Sequence, residues 1–227
     1  NIREHGIPME WKDIDAQVDF HDKPLNIKIK PTISNYLRVQ DIMVLEILDD
    51  IEKDRPVYFA VTVSPGNRMG LDKYLEMEGL VYKVTTEAIS GDELSPRLNY
   101  NRMKTNITKT NNPNFIIYNI SDYKEHFKNN QGLYRYTNLD SKDVYFSSNI
   151  QRLIQNYRSG FLQLALNDLY SSDIEGKNRS LNLLHDMDTY FPPQIIPVSE
   201  PELDIQIGRI YQQAGEPIEL KNRLKAL

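Results

Sequence analysis

The sequence predicts a mixed α+β or α/β protein, with a small, mainly parallel sheet and flanking helices followed by tetratricopeptide-like helical hairpins. Three observations carry this. Residues 55–84, RPVYFAVTVSPGNRMGLDKYLEMEGLVYKV, read as strand, Pro-Gly turn, short helix and strand. From Ser147 onward, apolar residues recur at helical spacing. The stretch between is polar and irregular. The expected division is an α/β domain over 1–128, a connection over 129–146 and a helical domain over 147–227.

Taken in order, residues 1–24 are weakly periodic. Leu25–Lys30, LNIKIK, alternates apolar and basic as a half-exposed strand does, and Pro31 ends it. VQDIMVLEILDDIEKD places Val39, Ile42, Met43, Ile47 and Ile51 on one helical face, widened by Leu45 and Leu48. VYFAVTV is apolar on both faces apart from Thr62, as in a central strand covered on both sides. Ser64–Asn67 is turn chemistry. GLDKYLEMEG then reads as a helix carrying Leu71, Tyr74, Leu75 and Glu78 and closed by Gly79, and LVYKVTT as the next strand. Two strands joined by a helix imply a right-handed parallel crossover. The connection is short enough to leave an antiparallel arrangement open.

Residues 86–113, rich in Asn and Thr, read as a mobile loop. NFIIYNI (114–120) reads as a strand and SDYKEHFKNN as a short helix capped by Ser121. The helical half opens with Ile150, Leu153, Ile154, Tyr157, Phe161, Leu164, Ala165 and Leu169 on one face. A second helix, from about Glu175 to Tyr190, presents Leu181, Leu184, Met187 and Phe191, and Pro192-Pro193 stops it. A third spans about Pro201–Ala214, ended by Gly215, and a last one runs from Pro217. These form two similar hairpins offset by about 42 residues, longer than the roughly 34 of a tetratricopeptide unit.

Composition narrows function. The 227 residues are 40% hydrophobic and 26% charged, with a net charge of −5. That balance argues against a general nucleic-acid footprint, which needs clustered Lys and Arg. Cysteine is absent, so disulfides, thiol catalysis and cysteine-bound metals are excluded. No apolar run approaches the roughly 20 residues that span a bilayer. The chain begins at Asn1, and NIREHGIPMEW reads like the interior of a longer protein.

Candidates for chemistry are few. His5, His21, His126 and His185 include no pair at the i, i+4 spacing of a helical zinc site. His185, beside Asp186 and Asp188, reads as a surface histidine. Asp13, Asp15, Asp19 and Asp22 offer carboxylates to a hard cation but lack calcium-loop spacing. Asp49-Asp50 resembles a metal–phosphate pair, yet neighbours on a helix point about 100° apart. The candidate ligand site is Ser64, Asn67 and Arg68, between a strand and a helix, where free N–H groups attract anions and Arg68 adds a fork of donors. Against it, Gly66 and Gly70 match neither phosphate-loop nor dinucleotide spacing. Tyr134 and Tyr136 flank Arg135, a pattern that stacks on sugars or bases, and more often packs half-buried at a domain junction. No catalytic set, metal site or cofactor motif is found.

Asp41, Met43, Leu45, Arg55, Pro56, Tyr58, Phe59, Ala60, Gly70, Leu71, Tyr74, Leu75, Met77, Gly79, Leu80 and Tyr82 carry a resemblance. Their pattern is similar to the C-terminal part of a bacterial membrane protein family, domain of unknown function 2723, common in Bacteroidetes. NYRSGFLQLA and FPPQIIP resemble that family's helical tail, whereas the Asn-rich 99–114 departs from it. The resemblance implies an N-terminal multispan region similar to protein O-mannosyltransferases, with this part on the periplasmic side of the inner membrane. It also implies that the catalytic acids lie in that membrane region, so none transfers to this chain. The expectation is therefore a non-catalytic periplasmic domain that recognises a protein or glycan acceptor or a partner, beside its own membrane region. Two alternatives stay open: a free-standing helical-repeat interaction module, and a small-molecule α/β enzyme using the 64–70 loop.

Overall fold

The computed structural model describes residues 7–8, 14–31, 36–53, 55–88, 96–108, 134 and 136–226. The chain divides into two units, Asn1–Asn99 and Tyr100–Leu227.

The first unit is built on short strands. β1 (Ile7–Pro8) pairs antiparallel with β4 (Tyr36–Leu37), and β2 (Ile14–Phe20) with β3 (Lys23–Ile29). The alternation in LNIKIK does what period 2 dictates. Leu25, Ile27 and Ile29 are buried, while Asn26 and Lys28 face out. The hairpin turns on His21 and Asp22, both at positive φ (53° and 59°), where Asn-Gly would be the usual choice. Neighbours hold them there. The His21 ring stacks on Phe20 at 3.8 Å and bonds the Arg55 carbonyl at 3.1 Å, and Asp22 pairs with Lys53. Tyr74 closes β3 from the side. Its hydroxyl accepts the Asn26 N–H (2.9 Å) and donates to the Asn26 carbonyl (3.2 Å).

Helix α1 (Val39–Asp50) forms where expected, but its inward face is rotated. Leu48 is buried, with Ile42, Val44 and Leu45 packed on the core, while Val39, Met43 and Ile47 are exposed. Asp41 is also inward, because Arg38 grips its carboxylate through Nε and Nη2, each at 2.9 Å. The helix start is thereby anchored by a charge pair that an apolar stripe does not reveal.

The third sheet has the order β5-β7-β6-β8, from Tyr58–Ala60, Val81–Val84, Leu75–Met77 and Arg97–Leu98. It is mainly antiparallel. Only β6 and β8 run parallel, which corrects the expected parallel sheet. The expected helix at GLDKYLEMEG is the reason. Only Asp72–Tyr74 makes a helical turn, of the 3-10 kind, and Leu75–Met77 extends with Leu75 and Met77 buried around a half-buried Glu76. Period 2 prevails over period 3.6 there, and the tight turn through Gly79 forces β6 and β7 to run antiparallel. VYFAVTV is likewise strand only at Tyr58–Ala60 and lies at the sheet edge, not its centre.

Gly70 fixes how this segment meets the hairpin. Its φ is +73°, and a Cβ there would run into the Lys28 carbonyl oxygen of β3. Gly70→Ala is expected to cost at least about 1 kcal/mol, from left-handed strain alone, before the clash is relieved. A thermal melt of the variant checks this, and an unchanged midpoint would refute it.

The second unit is helical: α2 (Tyr100–Thr108), α3 (Ser148–Leu169), α4 (Gly176–Tyr190), α5 (Pro201–Ala214) and α6 (Pro217–Ala226). The last four lie where the periodicity puts them. α2 falls inside the stretch expected to be a loop. Met103 and Ile107, one turn apart, are its buried anchors. They sit over Gly160 of α3, where an added Cβ would stand 2.8 Å from Ile107 Cδ1. Packing against that gap stabilises a helix whose own Asn and Thr content does not favour one. The expected strand 114–120 and the expected helix 121–130 lie outside the described residues.

Buried charges lock this unit. Arg158 of α3 is fully buried. Its Nη2 donates to the Phe191 (2.9 Å) and Ile196 carbonyls, and its Nη1 to Pro197 O (3.2 Å) and Gln155 Oε1 (3.0 Å). Burial pushes its guanidinium down to about 10. Asp168, near the other end of α3, accepts Tyr100 OH of α2 (2.7 Å) and Arg179 Nε of α4 (2.9 Å).

Candidate functional site

Ser64, Asn67 and Arg68 fall around a three-residue 3-10 turn, Pro65–Asn67. The N–H groups expected to face an anion are bonded within the turn, Asn67 N–H to Ser64 O (2.9 Å) and Arg68 N–H to Pro65 O (3.1 Å). Arg68 is 5% exposed. Its Nε donates to Val63 O (3.0 Å), its Nη1 to Asp72 Oδ1 (2.8 Å), and its guanidinium lies 4.4 Å from the centre of the Tyr82 ring. Asn67 Oδ1 accepts from Arg38 Nη2 at 2.7 Å. Ser64 is exposed. The three residues are neighbours, and the two with charge or amide groups brace the turn against α1 and the sheet.

A cleft of about 680 Å³ lies within the helical unit, walled by α4, α5 and α6. Arg223 is its central residue. It lies on the inward side of α6, three residues from Leu220, and is 6% exposed. Its Nη1 pairs with Asp204 of α5 and its Nη2 with Asp188 of α4 (2.5 Å), so one guanidinium ties three helices. Tyr211 OH donates to the same Asp188 oxygen at 2.8 Å. At the rim, His185 Nε2 lies 2.9 Å from Glu216 Oε2, and Glu219 accepts from Asn222 at 3.1 Å.

The electrostatics follow from this packing. Burial would push the Arg223 guanidinium down, but Asp188 and Asp204 outweigh it and hold it above its ordinary value. Tyr211 is pushed well up by burial and then by the Asp188 charge, so it stays a protonated donor. Asp186 is raised by burial, with His185 acting the other way. Four carboxylates and one guanidinium line the walls, a formal net charge of −3 counted over Asp, Glu and Arg. Tyr211 and both aspartates are occupied in holding Arg223.

The other residues singled out by sequence disperse. Asp15 and Asp19 lie on the exposed face of β2, and Asp49 Oδ1 accepts the Asp19 N–H at 3.2 Å. Tyr136 packs among Tyr157, Tyr190 and Phe191, with ring centres 5.9, 4.6 and 5.1 Å away, and its hydroxyl donates to Ile107 O at 2.9 Å. It serves as half-buried packing inside the helical unit. Among the described residues, no three His, Asp or Glu side chains are grouped to hold a metal. No described helix is long and apolar enough to cross a membrane.

The sequence profile of TMEM260-associated domain 2 matches residues 9–131, more than half of the chain. The chain belongs to this family. No curated protein and no solved structure matches it significantly. The TMEM260-associated domain 2 match takes in nearly all of the first unit, including Ser64, Asn67 and Arg68, and runs through α2. Helices α3 to α6, and the cleft with them, lie beyond it. Sequence reading passed over Arg223 as part of an ordinary terminal helix. The signal was there: a guanidinium on the apolar side of an amphipathic helix must find buried partners.

Proposed function

We propose that this chain is a non-catalytic periplasmic part of a bacterial membrane glycosyltransferase-like protein, and that it recognises an acceptor or a partner. Membership in a TMEM260-associated domain family is the observation that carries this reading. The resemblance of residues 39–85 to the tail of domain of unknown function 2723 proteins supports it. Its own membrane region would be its covalent neighbour, and its tetratricopeptide-like hairpins would present the recognition surface. The structural work done by Arg68, Asp188, Asp204 and Tyr211 fits a part that holds shape and binds. The cleft favours a second reading, an interaction module that binds its partner without any membrane region, because it lies outside the family match.

The test is made in membranes containing the full-length protein. Removing this chain's residues should leave acceptor-independent hydrolysis of the sugar donor intact and abolish sugar transfer to acceptor. Loss of both activities, or retention of both, would overturn the proposal. The second reading predicts instead that the 227-residue chain alone captures its partner with the affinity of the whole protein.

A further inference from the structure

We infer that the cleft between α4, α5 and α6 takes an extended peptide segment bearing Lys or Arg; this rests on the recognition reading above and gives it a partner chemistry. Two observations converge. The cleft is open and about 680 Å³, a volume that suits a few residues of peptide. Its walls carry the net charge of −3, with Glu216 and Glu219 at the rim where a cationic side chain can reach them. Such a field attracts and orients a basic partner and repels an acidic one.

Asp188 and Asp204 are spent on Arg223, which leaves Glu216 and Glu219 as the carboxylates a ligand meets first. A neutral oligosaccharide offers hydroxyls but nothing for the charge.

The test is fluorescence anisotropy with the 227-residue chain and labelled peptides of about ten residues that alternate Ser with Lys or with Glu. The Lys peptide should bind and the Glu peptide should not. Affinity for the Lys peptide should fall about tenfold as ionic strength rises from about 0.05 to about 0.3 M. The paired change Glu216→Lys and Glu219→Lys should weaken binding at least about tenfold, and Glu219→Gln, a milder change, about threefold. Because the whole chain is acidic, the paired change Glu46→Lys and Asp50→Lys on α1 is the control. It alters net charge equally and should leave binding unchanged. Equal losses at both places, equal binding of the Glu peptide, or tighter binding of a neutral oligosaccharide would overturn the inference. Failure here with acceptor transfer still dependent on this chain would leave the recognition proposal standing and remove only the peptide.

Discussion

Arg158→Met is expected to lower the melting temperature of the chain by about 10 °C, equivalent to about 3 kcal/mol. Two effects oppose each other. The guanidinium is fully buried and pushed down to about 10, so removing the charge relieves about 3 kcal/mol of desolvation. Its bonds to Phe191 O, Ile196 O and Pro197 O are charge-assisted, each contributing about 1.5–3 kcal/mol. Methionine fills most of the volume but strands those carbonyls. Loss of the bonds therefore wins. The segment from Phe191 to Pro197 should loosen first, so limited proteolysis should cut there before the helices melt. Buried ion pairs elsewhere have been replaced by apolar side chains at no cost. A melting point equal to or above that of the parent chain would place Arg158 in that class and reject the argument.

Asp168→Ala should cost about 2–3 kcal/mol. The carboxylate is 2% exposed and joins three helices, through Tyr100 of α2 and Arg179 of α4. Arg179 keeps Asp173 at 2.6 Å, and Tyr100 keeps Lys104 at 3.2 Å, which tempers the loss on those sides. The detectable consequence is local. Helix α2 holds by Met103, Ile107, the Tyr136 bond to Ile107 O and this bond, so its amides should exchange with solvent well before those of α3. Asp168→Asn, which retains one acceptor, should lie between. Equal protection of α2 in Asp168→Ala and the parent chain would refute the assignment.

What sequence revealed depended on how strongly one periodicity dominated. The four C-terminal helices were legible because apolar residues recur at helical spacing along them, most fully in the 22 residues of α3, and Pro201, Pro217 and Gly215 mark helix ends. LNIKIK was legible for the same reason at period 2. GLDKYLEMEG was not, since Leu71, Tyr74 and Leu75 satisfy a helix while Leu75 and Met77 satisfy a strand, and tertiary pairing with β7 decided. Helix α2 was hidden because its stability comes from two anchors over Gly160 and not from its own residues. The cleft was illegible for another reason. Asp188, Asp204 and Arg223 are far apart in sequence, and no local motif announces that three helices will bring them together.

Tyr74 has a consequence for how the chain behaves among its own copies. A two-stranded hairpin leaves the outer edge of each strand with open N–H and C=O groups, the template on which chains associate edge to edge. At the middle of β3 that position is taken, since one phenol hydroxyl answers both the N–H and the carbonyl of Asn26. A side chain stands where the next strand would begin. The ring blocks that edge from inside the same fold, beside the Lys23, Pro24 and Lys28 that the strand itself carries.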